Sequence, residues 1–99
     1  MSISRSEVFG PSAEKVKVTK DTLSVDLSDG RTISVPLAWY PRLVHGTVAE
    51  RRNWRLIGRG SGIHWADLDE DISVESLLAG KASGESQLSL KRWFLKRKR

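Results

Sequence analysis

Apolar residues alternate with polar ones along three runs in the first half of this sequence, and that alternation constrains the fold most. The apolar positions are, in chain order, Val16, Val18, Leu23, Val25, Leu27, Ile33, Val35 and Leu37. A period of two is typical of strands that bury one face. Turn-forming residues separate the runs, at 20–21 and at 28–30. The sequence therefore predicts a three-stranded antiparallel meander with one apolar face.

The direction in which side chains face fixes the length of the second turn. A two-residue turn would set apolar Leu27 opposite polar Thr32 and mix both kinds of residue on each face. A three-residue loop over 28–30 instead pairs Val25 with Ile33 and leaves Gly30, which accepts a left-handed backbone, as the last loop residue. We expect this longer loop, and we expect other elements to cover the apolar face.

Shorter signals predict the elements that follow the meander. The third strand ends at Pro36, and the bulky stretch 37–43 is interpreted as a turn or a single helical turn. Thr47 and Glu50 form a capping-box pattern, which predicts a helix over about 48–54.

Strand-like residues come next and flank a glycine-rich bend, at 55–57 and 63–65. An N-cap at Ser73 and a stop at Gly80 predict a helix over about 74–79.

The fold class that these elements predict is α+β. A small antiparallel meander sheet, with three N-terminal strands plus one or two later strands, is covered by short helices and followed by a C-terminal basic helix. The predicted organisation is a flexible N-terminus over 1–13, an α+β domain over 14–80, a Gly/Ser-rich linker over 81–87 and a basic amphipathic tail over 88–99.

The basic residues are concentrated at the end of the chain. The sequence has 17 basic and 12 acidic residues, a formal net charge of +5. Residues 91–99 hold six of the basic residues and no acidic one, so the rest of the chain carries 11 basic against 12 acidic residues, a net charge of −1. We interpret the body as nearly neutral and the last residues as a basic tail.

Composition excludes several classes of protein. A chain of 99 residues is long enough for one modest core. The absence of cysteine excludes disulfides, cysteine-based zinc sites and thiol catalysis. No apolar run approaches the ~18 residues of a membrane helix, and the polar first residues differ from a signal peptide. We therefore expect a cytoplasmic protein with no membrane partner.

No metal or nucleotide site is predicted. Asp67, Asp69 and Asp71 match the first three ligand positions of a calcium loop, but Ile72 and Leu78 stand where that loop needs Gly and Glu. We interpret them as an acidic turn, with a weak cation site or a docking patch as alternatives. The glycine-rich stretch 58–62 lacks the Gly-Lys-Ser/Thr ending of a phosphate-binding loop.

Neither histidine, His45 or His64, has a matching nucleophile or metal spacing. We therefore predict no catalytic residue, no metal and no cofactor. An enzyme that uses His64 with the nearby carboxylates of 67–71 is kept as an alternative, and a charged pair of His64 with Asp67 or Asp69 is considered.

Four tryptophans are many for a chain of this length. Trp39, Trp54 and Trp65 are predicted to fill the core, or alternatively one or two of them form a protein-binding patch beside Arg42 or Arg59. The candidate partner-binding residues are Arg31, Trp39, Tyr40, Arg42, His64, Trp65, Asp69 and Glu70.

The basic tail has three interpretations. It is compatible with a helix over about 86–97 on which Leu90, Trp93, Phe94 and Arg97 share one face. It is a solvated end, or it binds nucleic acid through its cations and rings, or it packs its apolar face into a partner's groove. Because it lies on this tail, Trp93 is expected to be the more exposed tryptophan. The candidate nucleic-acid-binding residues are Lys91, Arg92, Trp93, Lys96, Arg97, Lys98 and Arg99.

Several strings together resemble a bacterial domain-of-unknown-function family. They are LSDGR at 27–31, PLAWYPRL at 36–43, ER at 50–51, GIHW at 62–65, DLDEDISV at 67–74 and LL at 77–78. The resemblance covers about residues 14–80 and implies a small α+β domain without an assigned catalytic residue. It also implies a gene that neighbours a second small domain, in an arrangement resembling toxin–antitoxin pairs. Some relatives carry a helix-turn-helix domain after this module, whereas this chain has only a short basic segment there.

The leading hypothesis is a non-catalytic protein-binding module, an antitoxin-like partner of a small toxin-like protein. The first alternative is a nucleic-acid-binding accessory or regulatory protein that acts through the basic tail, and the second is the enzyme that uses His64. An exposed sheet edge leaves the oligomeric state open.

Overall fold

The N-terminal half folds as the predicted meander. A computed structural model describes residues 10–97, so most of the segment predicted to be flexible lies outside the described residues. Strands β1 (Ala13–Val18), β2 (Thr22–Leu27) and β3 (Thr32–Pro36) form an antiparallel sheet in the order β1-β2-β3, here called sheet A. The aligned apolar pairs are Val16 with Val25, Val25 with Ile33, and Leu23 with Val35. The predicted register of β2 and β3 is confirmed.

The turn between β2 and β3 has the predicted three-residue loop. The Leu27 N–H donates to the Arg31 carbonyl at 2.8 Å, and the Gly30 N–H donates to the Leu27 carbonyl at 3.0 Å. Gly30 has a φ of +92°, in the left-handed region that favours glycine. The Asp29 carboxylate closes the loop by accepting from the Arg31 backbone N–H and Nε.

Two short helices follow sheet A. A 3-10 turn (Leu37–Trp39) and helix α1 (Pro41–Val44) occupy the stretch predicted to be a turn or a helical turn. Helix α2 (Val48–Arg52) begins at the predicted capping box, in which Thr47 and Glu50 bond to each other's backbone N–H. The helix ends earlier than predicted because Trp54 belongs to the next strand.

The later strands number three, where one or two were predicted, and they form a second sheet, sheet B, instead of extending the meander. Strands β4 (Trp54–Ile57), β5 (Gly62–Trp65) and β6 (Glu70–Ser73) are antiparallel, in the order β4-β5-β6. β6 begins at Glu70, within the segment that the sequence predicted to be an acidic turn; the turn itself covers 66–69. The residues of β6 have a low intrinsic propensity for strands. Pairing with β5 and burial of Ile72 outweigh that low propensity.

The chain ends in two helices. Helix α3 (Val74–Leu78) begins at the predicted cap, where the Ser73 hydroxyl accepts from the Ser76 N–H at 3.0 Å. Residues 81–86 have no regular secondary structure, and helix α4 (Gln87–Arg97) follows as predicted. Between residues 10 and 97, no helix combines the length and apolar character needed to cross a bilayer.

Both sheets and all but one of the helices contribute to one apolar core. Trp65, Ile63, Leu68 and Leu43 are fully buried in it. Trp39 and Trp54 pack against its margin and stay partly accessible. The core also includes Trp93 of α4, so the C-terminal helix packs against the rest of the domain.

Candidate functional site

Helix α4 lies against the body of the domain with Trp93 facing inward. Trp93 is only 6% exposed, and its Nε1 donates to the Leu68 carbonyl at 2.9 Å. The guanidinium carbons of Arg42 and Arg97 lie 5.6 and 4.6 Å from the centre of the indole ring. The prediction that Trp93 is the more exposed tryptophan is therefore wrong, because its ring fills a site in the core and its N–H finds a buried acceptor there.

Two ion pairs hold α4 at its two ends. Before the helix, Glu85 accepts from both Nε and Nη2 of Arg42 at 2.7 Å. At its end, Arg97 donates to both carboxylate oxygens of Glu50, at 2.8 and 3.1 Å. Arg42 lowers the pKa of Glu85, and Arg97 together with the Thr47 backbone N–H lowers the pKa of Glu50 to about 2. The carboxylates therefore stay charged at neutral pH.

An open groove of about 450 Å³ runs between α4 and the turn at 66–69. Six of its lining residues matter here, namely Arg42, Asp67, Asp69, Leu88, Arg92 and Lys96. The groove brings together members of both predicted sets, since Arg42 and Asp69 were partner-binding candidates and Arg92 and Lys96 were nucleic-acid-binding candidates. Its walls carry charges of both signs next to an exposed leucine.

Glu70 is a partly buried carboxylic acid beside this groove. Its Oε1 accepts from the Asp71 N–H at 3.1 Å, while Oε2 is buried without a hydrogen-bond partner among the described residues. Burial raises the pKa of Glu70 to about 7, helped by the negative charges of Glu85 and Asp71 and opposed by the charge of Arg42. A carboxyl group with this pKa is about half protonated at pH 7. Glu70 is partly buried, unlike the exposed carboxylates Asp69 and Asp71 on either side of it.

The outer face of sheet B carries a cross-strand row of three charged or titratable side chains. Arg55, His64 and Asp71 occupy adjacent positions on β4, β5 and β6, and His64 Nδ1 is hydrogen-bonded to Asp71 Oδ1. The sequence placed the partner of His64 at Asp67 or Asp69. The Asp71 side chain is 66% exposed, so this is a solvated cross-strand pair. No cluster of three or more metal-binding side chains occurs within 10–97.

Strand β4 is an edge strand, and apolar and basic side chains surround it. Leu56 and Ile57 are 36% and 37% exposed. Arg52, Arg55 and Arg59 are exposed and make no ion pair with any residue between 10 and 97. Arg51 differs from them, because its guanidinium donates to the carbonyls that end α1. We call the surface formed by 52–59 the β4 edge.

Comparison with known proteins identifies the family. Residues 13–83 match the model of a protein family of unknown function, DUF2442. The chain belongs to the DUF2442 family. Among curated proteins, none matches it.

Solved structures show the same fold. A protein of unknown function from Rhodospirillum rubrum ATCC 11170 is 28% identical, with a TM-score of 0.66 over 79% of this chain and 96% of that one. The uncharacterized protein CV0863 from Chromobacterium violaceum is 18% identical, with a TM-score of 0.63 over 82% of this chain and 75% of that one. At that lower identity the likeness concerns the fold alone. Neither the family nor these structures point to catalysis.

The predicted partner-binding residues lie in several places on the DUF2442 domain. Trp65 and Tyr40 are core residues, so their side chains do not offer a contact surface. Arg31 is paired with Asp29 in the hairpin loop. The positions of the others are Trp39 at the core margin, Arg42, Asp69 and Glu70 near the groove, and His64 on the outer face of sheet B.

The predicted nucleic-acid-binding residues are divided by the packing of α4. Trp93 is buried and Arg97 is paired with Glu50, so neither is offered to a nucleic acid. Lys91, Arg92 and Lys96 stay exposed. Lys98 and Arg99 lie outside the described residues.

Sequence reasoning missed the acidic anchors Glu50 and Glu85 and also the β4 edge. The anchors lie 47 and 43 residues from their arginines, and no local pattern reports a contact at such separations. The β4 edge had a readable signal. Residues 51–59 contain four arginines and no acid, a local excess that disappears when the charge of the whole body is summed.

Proposed function

We propose that this DUF2442 chain is a cytoplasmic, non-catalytic protein-binding module, an antitoxin-like partner of a small toxin-like protein. The observation that supports this role is the open groove beside α4. One wall carries Arg42 and Asp69 and the other carries Arg92 and Lys96, with Leu88 exposed at the rim. Arginine beside apolar surface is typical of contact sites between proteins. The gene pairing that the family resemblance implies supplies the kind of partner.

The charge distribution in the groove favours a protein over a polyanion. Asp67 and Asp69 line the same groove as Arg92 and Lys96. A nucleic acid that entered it would bring phosphates next to two carboxylates, and like charges in contact are unfavourable. A folded protein surface has charges of both signs and can pair with the carboxylates as well as with the cations of the groove.

The test is direct binding to the product of the neighbouring gene, measured by calorimetry with both proteins purified. We expect a dissociation constant at or below about 1 μM, typical of a stable pair. Reversing two charges of the groove, Arg92→Glu with Lys96→Glu, should weaken binding at least tenfold. The matched control, Lys15→Glu with Lys17→Glu, alters exposed positions of sheet A and should leave affinity unchanged. Absence of binding at micromolar concentrations contradicts the proposal.

A second candidate role is nucleic-acid binding through the exposed cations of α4. It is favoured by one observation, the three exposed cations Lys91, Arg92 and Lys96 on that helix. Truncation before Lys91 is a poor test, because it also removes Trp93 from the core. Charge reversal at the exposed Lys91 and Lys96 should preserve the fold and abolish binding to duplex DNA and to RNA. Unchanged binding by this variant contradicts the role of α4.

A further inference from the structure

We infer that the β4 edge binds an extended, acidic segment of a protein partner, which adds to sheet B as a fourth strand. This inference rests on the proposed role as a protein-binding module and names one kind of ligand. It concerns a surface separate from the groove beside α4. An experiment can therefore contradict binding at the β4 edge without contradicting binding at the groove, and the reverse.

The first argument is the hydrogen-bonding position of β4. It pairs with β5 along its whole length, from Trp54 opposite Trp65 to Ile57 opposite Gly62. Within the part of the chain that the structure describes, no strand pairs with its other side. β1 packs near β4 but forms no ladder with it. The unpaired main-chain groups of an edge strand accept another strand through hydrogen bonds, and side-chain contacts then decide which one.

The second argument is the distribution of apolar surface on this strand. Leu56 and Ile57 are adjacent, so their side chains point to opposite faces of the sheet. Each is more than a third exposed. The edge therefore offers one apolar contact on each face to a strand laid beside it. A strand that alternates polar and apolar residues would cover Leu56 or Ile57 with its apolar side.

The third argument is charge. Arg52 precedes the strand, Arg55 lies within it and Arg59 follows it, so basic side chains occur along the full length of the edge. The acid nearest in register on the same face, Asp71, is two strands away and engaged by His64. An extended segment with glutamate or aspartate at alternating positions meets these cations and neutralises them.

The same charges argue against a second copy of this chain. Pairing two β4 strands about a twofold axis would bring the arginines of both copies to one interface, and like charges across paired strands are destabilising. A nucleic acid would satisfy the arginines but would leave Leu56 and Ile57 in water and the backbone edge unused. An acidic strand that alternates with apolar residues satisfies the backbone edge, one of the two apolar side chains and the arginines together.

The test is nuclear magnetic resonance on the full, ¹⁵N-labelled chain. The probe is a short peptide alternating valine with glutamate, and the matched control peptide alternates valine with lysine. We expect the glutamate peptide to shift the backbone amides of 54–57 and the lysine peptide to leave them unchanged. Raising salt from about 0.05 to about 0.5 M should weaken the effect about tenfold. The variant Arg55→Glu with Arg59→Glu should abolish it, whereas Arg92→Glu should not.

Four outcomes overturn the inference. The first is the absence of any shift at 54–57 with the glutamate peptide. The second is a stronger response of the same amides to a short oligothymidylate, which would assign the edge to nucleic acid. The third is a shift that depends on protein concentration without peptide, which would assign it to a second copy. The fourth is contact between 54–57 and residues 1–9 in the free chain, which would assign it to the chain itself.

Binding of the neighbouring gene's product tests the protein-binding role separately from the β4 edge. If the neighbour binds the wild type and the Arg55→Glu, Arg59→Glu variant equally, the protein-binding role stands and the β4 edge is not the surface that the neighbour contacts. If the neighbour fails to bind while the glutamate peptide shifts 54–57, the edge inference stands and the antitoxin-like role fails.

Discussion

Helix α4 and strand β4 both combine arginine with large apolar side chains, but the two segments have different environments in the fold. α4 turns Trp93 into the core and fixes Arg97 to Glu50. β4 leaves Leu56 and Ile57 accessible, and its arginine, Arg55, has no acidic partner between residues 10 and 97. The two segments differ in whether other parts of the chain supply hydrogen-bond and ion-pair partners for their side chains.

Acceptors placed by distant parts of the chain account for this difference. The Leu68 carbonyl and the Glu50 carboxylate face α4 and satisfy its indole N–H and its last arginine. Because these acceptors bind its side chains, the basic amphipathic helix α4 packs against the domain instead of remaining a solvated tail. The β4 edge lacks acceptors of this kind within the described residues, so its arginine and apolar side chains stay available to a partner.

The largest expected effect comes from removing the Trp93 indole, which packs α4 against the core. Trp93→Ala should lower the free energy of unfolding by about 3–5 kcal/mol, because it leaves a cavity in the core and an unpaired Leu68 carbonyl. Urea denaturation followed by circular dichroism measures the loss. The matched control on the same helix is Leu88→Ala, which changes an exposed side chain and should alter stability by less than about 0.5 kcal/mol. Equal effects of the two changes would contradict the docking of α4.

The second test breaks the ion pair before α4. Glu85→Gln turns one carboxylate oxygen into an NH₂ donor that faces the Arg42 guanidinium, and it leaves that partly buried cation poorly paired. A loss of about 1.5–3 kcal/mol is expected for a hydrogen-bonded charged group. The control, Glu14→Gln, changes an exposed residue of β1 and should be neutral. A loss no larger than that of the control would mean that Arg42 does not hold this end of the helix.

The third test uses pH to examine Glu70, the partly buried carboxylic acid near the groove beside α4. Because the pKa of Glu70 is raised to about 7 in the folded domain, the folded state keeps a proton that the unfolded chain releases near 4.5. Folded domain therefore binds more protons between these values, and stability from this group falls as pH rises from about 4.5 to 7. Glu70→Gln should be more stable than the wild type at pH 8, by about 1–2 kcal/mol after allowance for solvent screening.

The two proteins should be equally stable near pH 4, where the carboxylic acid and the amide are both neutral. Thermal melts across this pH range give the measurement. An effect of Glu70→Gln that is the same at both pH values would contradict the burial of this carboxyl group.

The sequence predicted sheet A down to its register because local information is sufficient there. Alternation determines which residues share a face, and the turn at 28–30 admits one loop length that keeps Val25 opposite Ile33. The helix starts at Thr47 and Ser73 were predicted for the same reason, since a cap depends on residues only three positions apart.

The sequence did not predict β6 or the docking of α4, because both depend on distant residues. Glu70 and Asp71 have little intrinsic preference for a strand and adopt one by pairing with Trp65 and His64. The charge of the tail likewise does not reveal that Glu50 lies within reach of Arg97. The candidate site was therefore predicted only as separate residues, and the groove that joins them came from the folded chain.

The smallest expected effect comes from making one charge reversal in each region. Arg55→Glu on β4 removes no ion pair within the described residues and should change the free energy of unfolding by less than about 0.5 kcal/mol. Arg97→Glu at the end of α4 replaces a two-bond ion pair with repulsion from Glu50 and should lose about 1 kcal/mol. Urea unfolding of both variants at low and high salt measures the difference, and salt should reduce the loss at Arg97. If Arg55→Glu destabilises the domain as much as Arg97→Glu does, the arginine of β4 is a structural residue like that of α4, and the distinction between a satisfied segment and an available one does not hold.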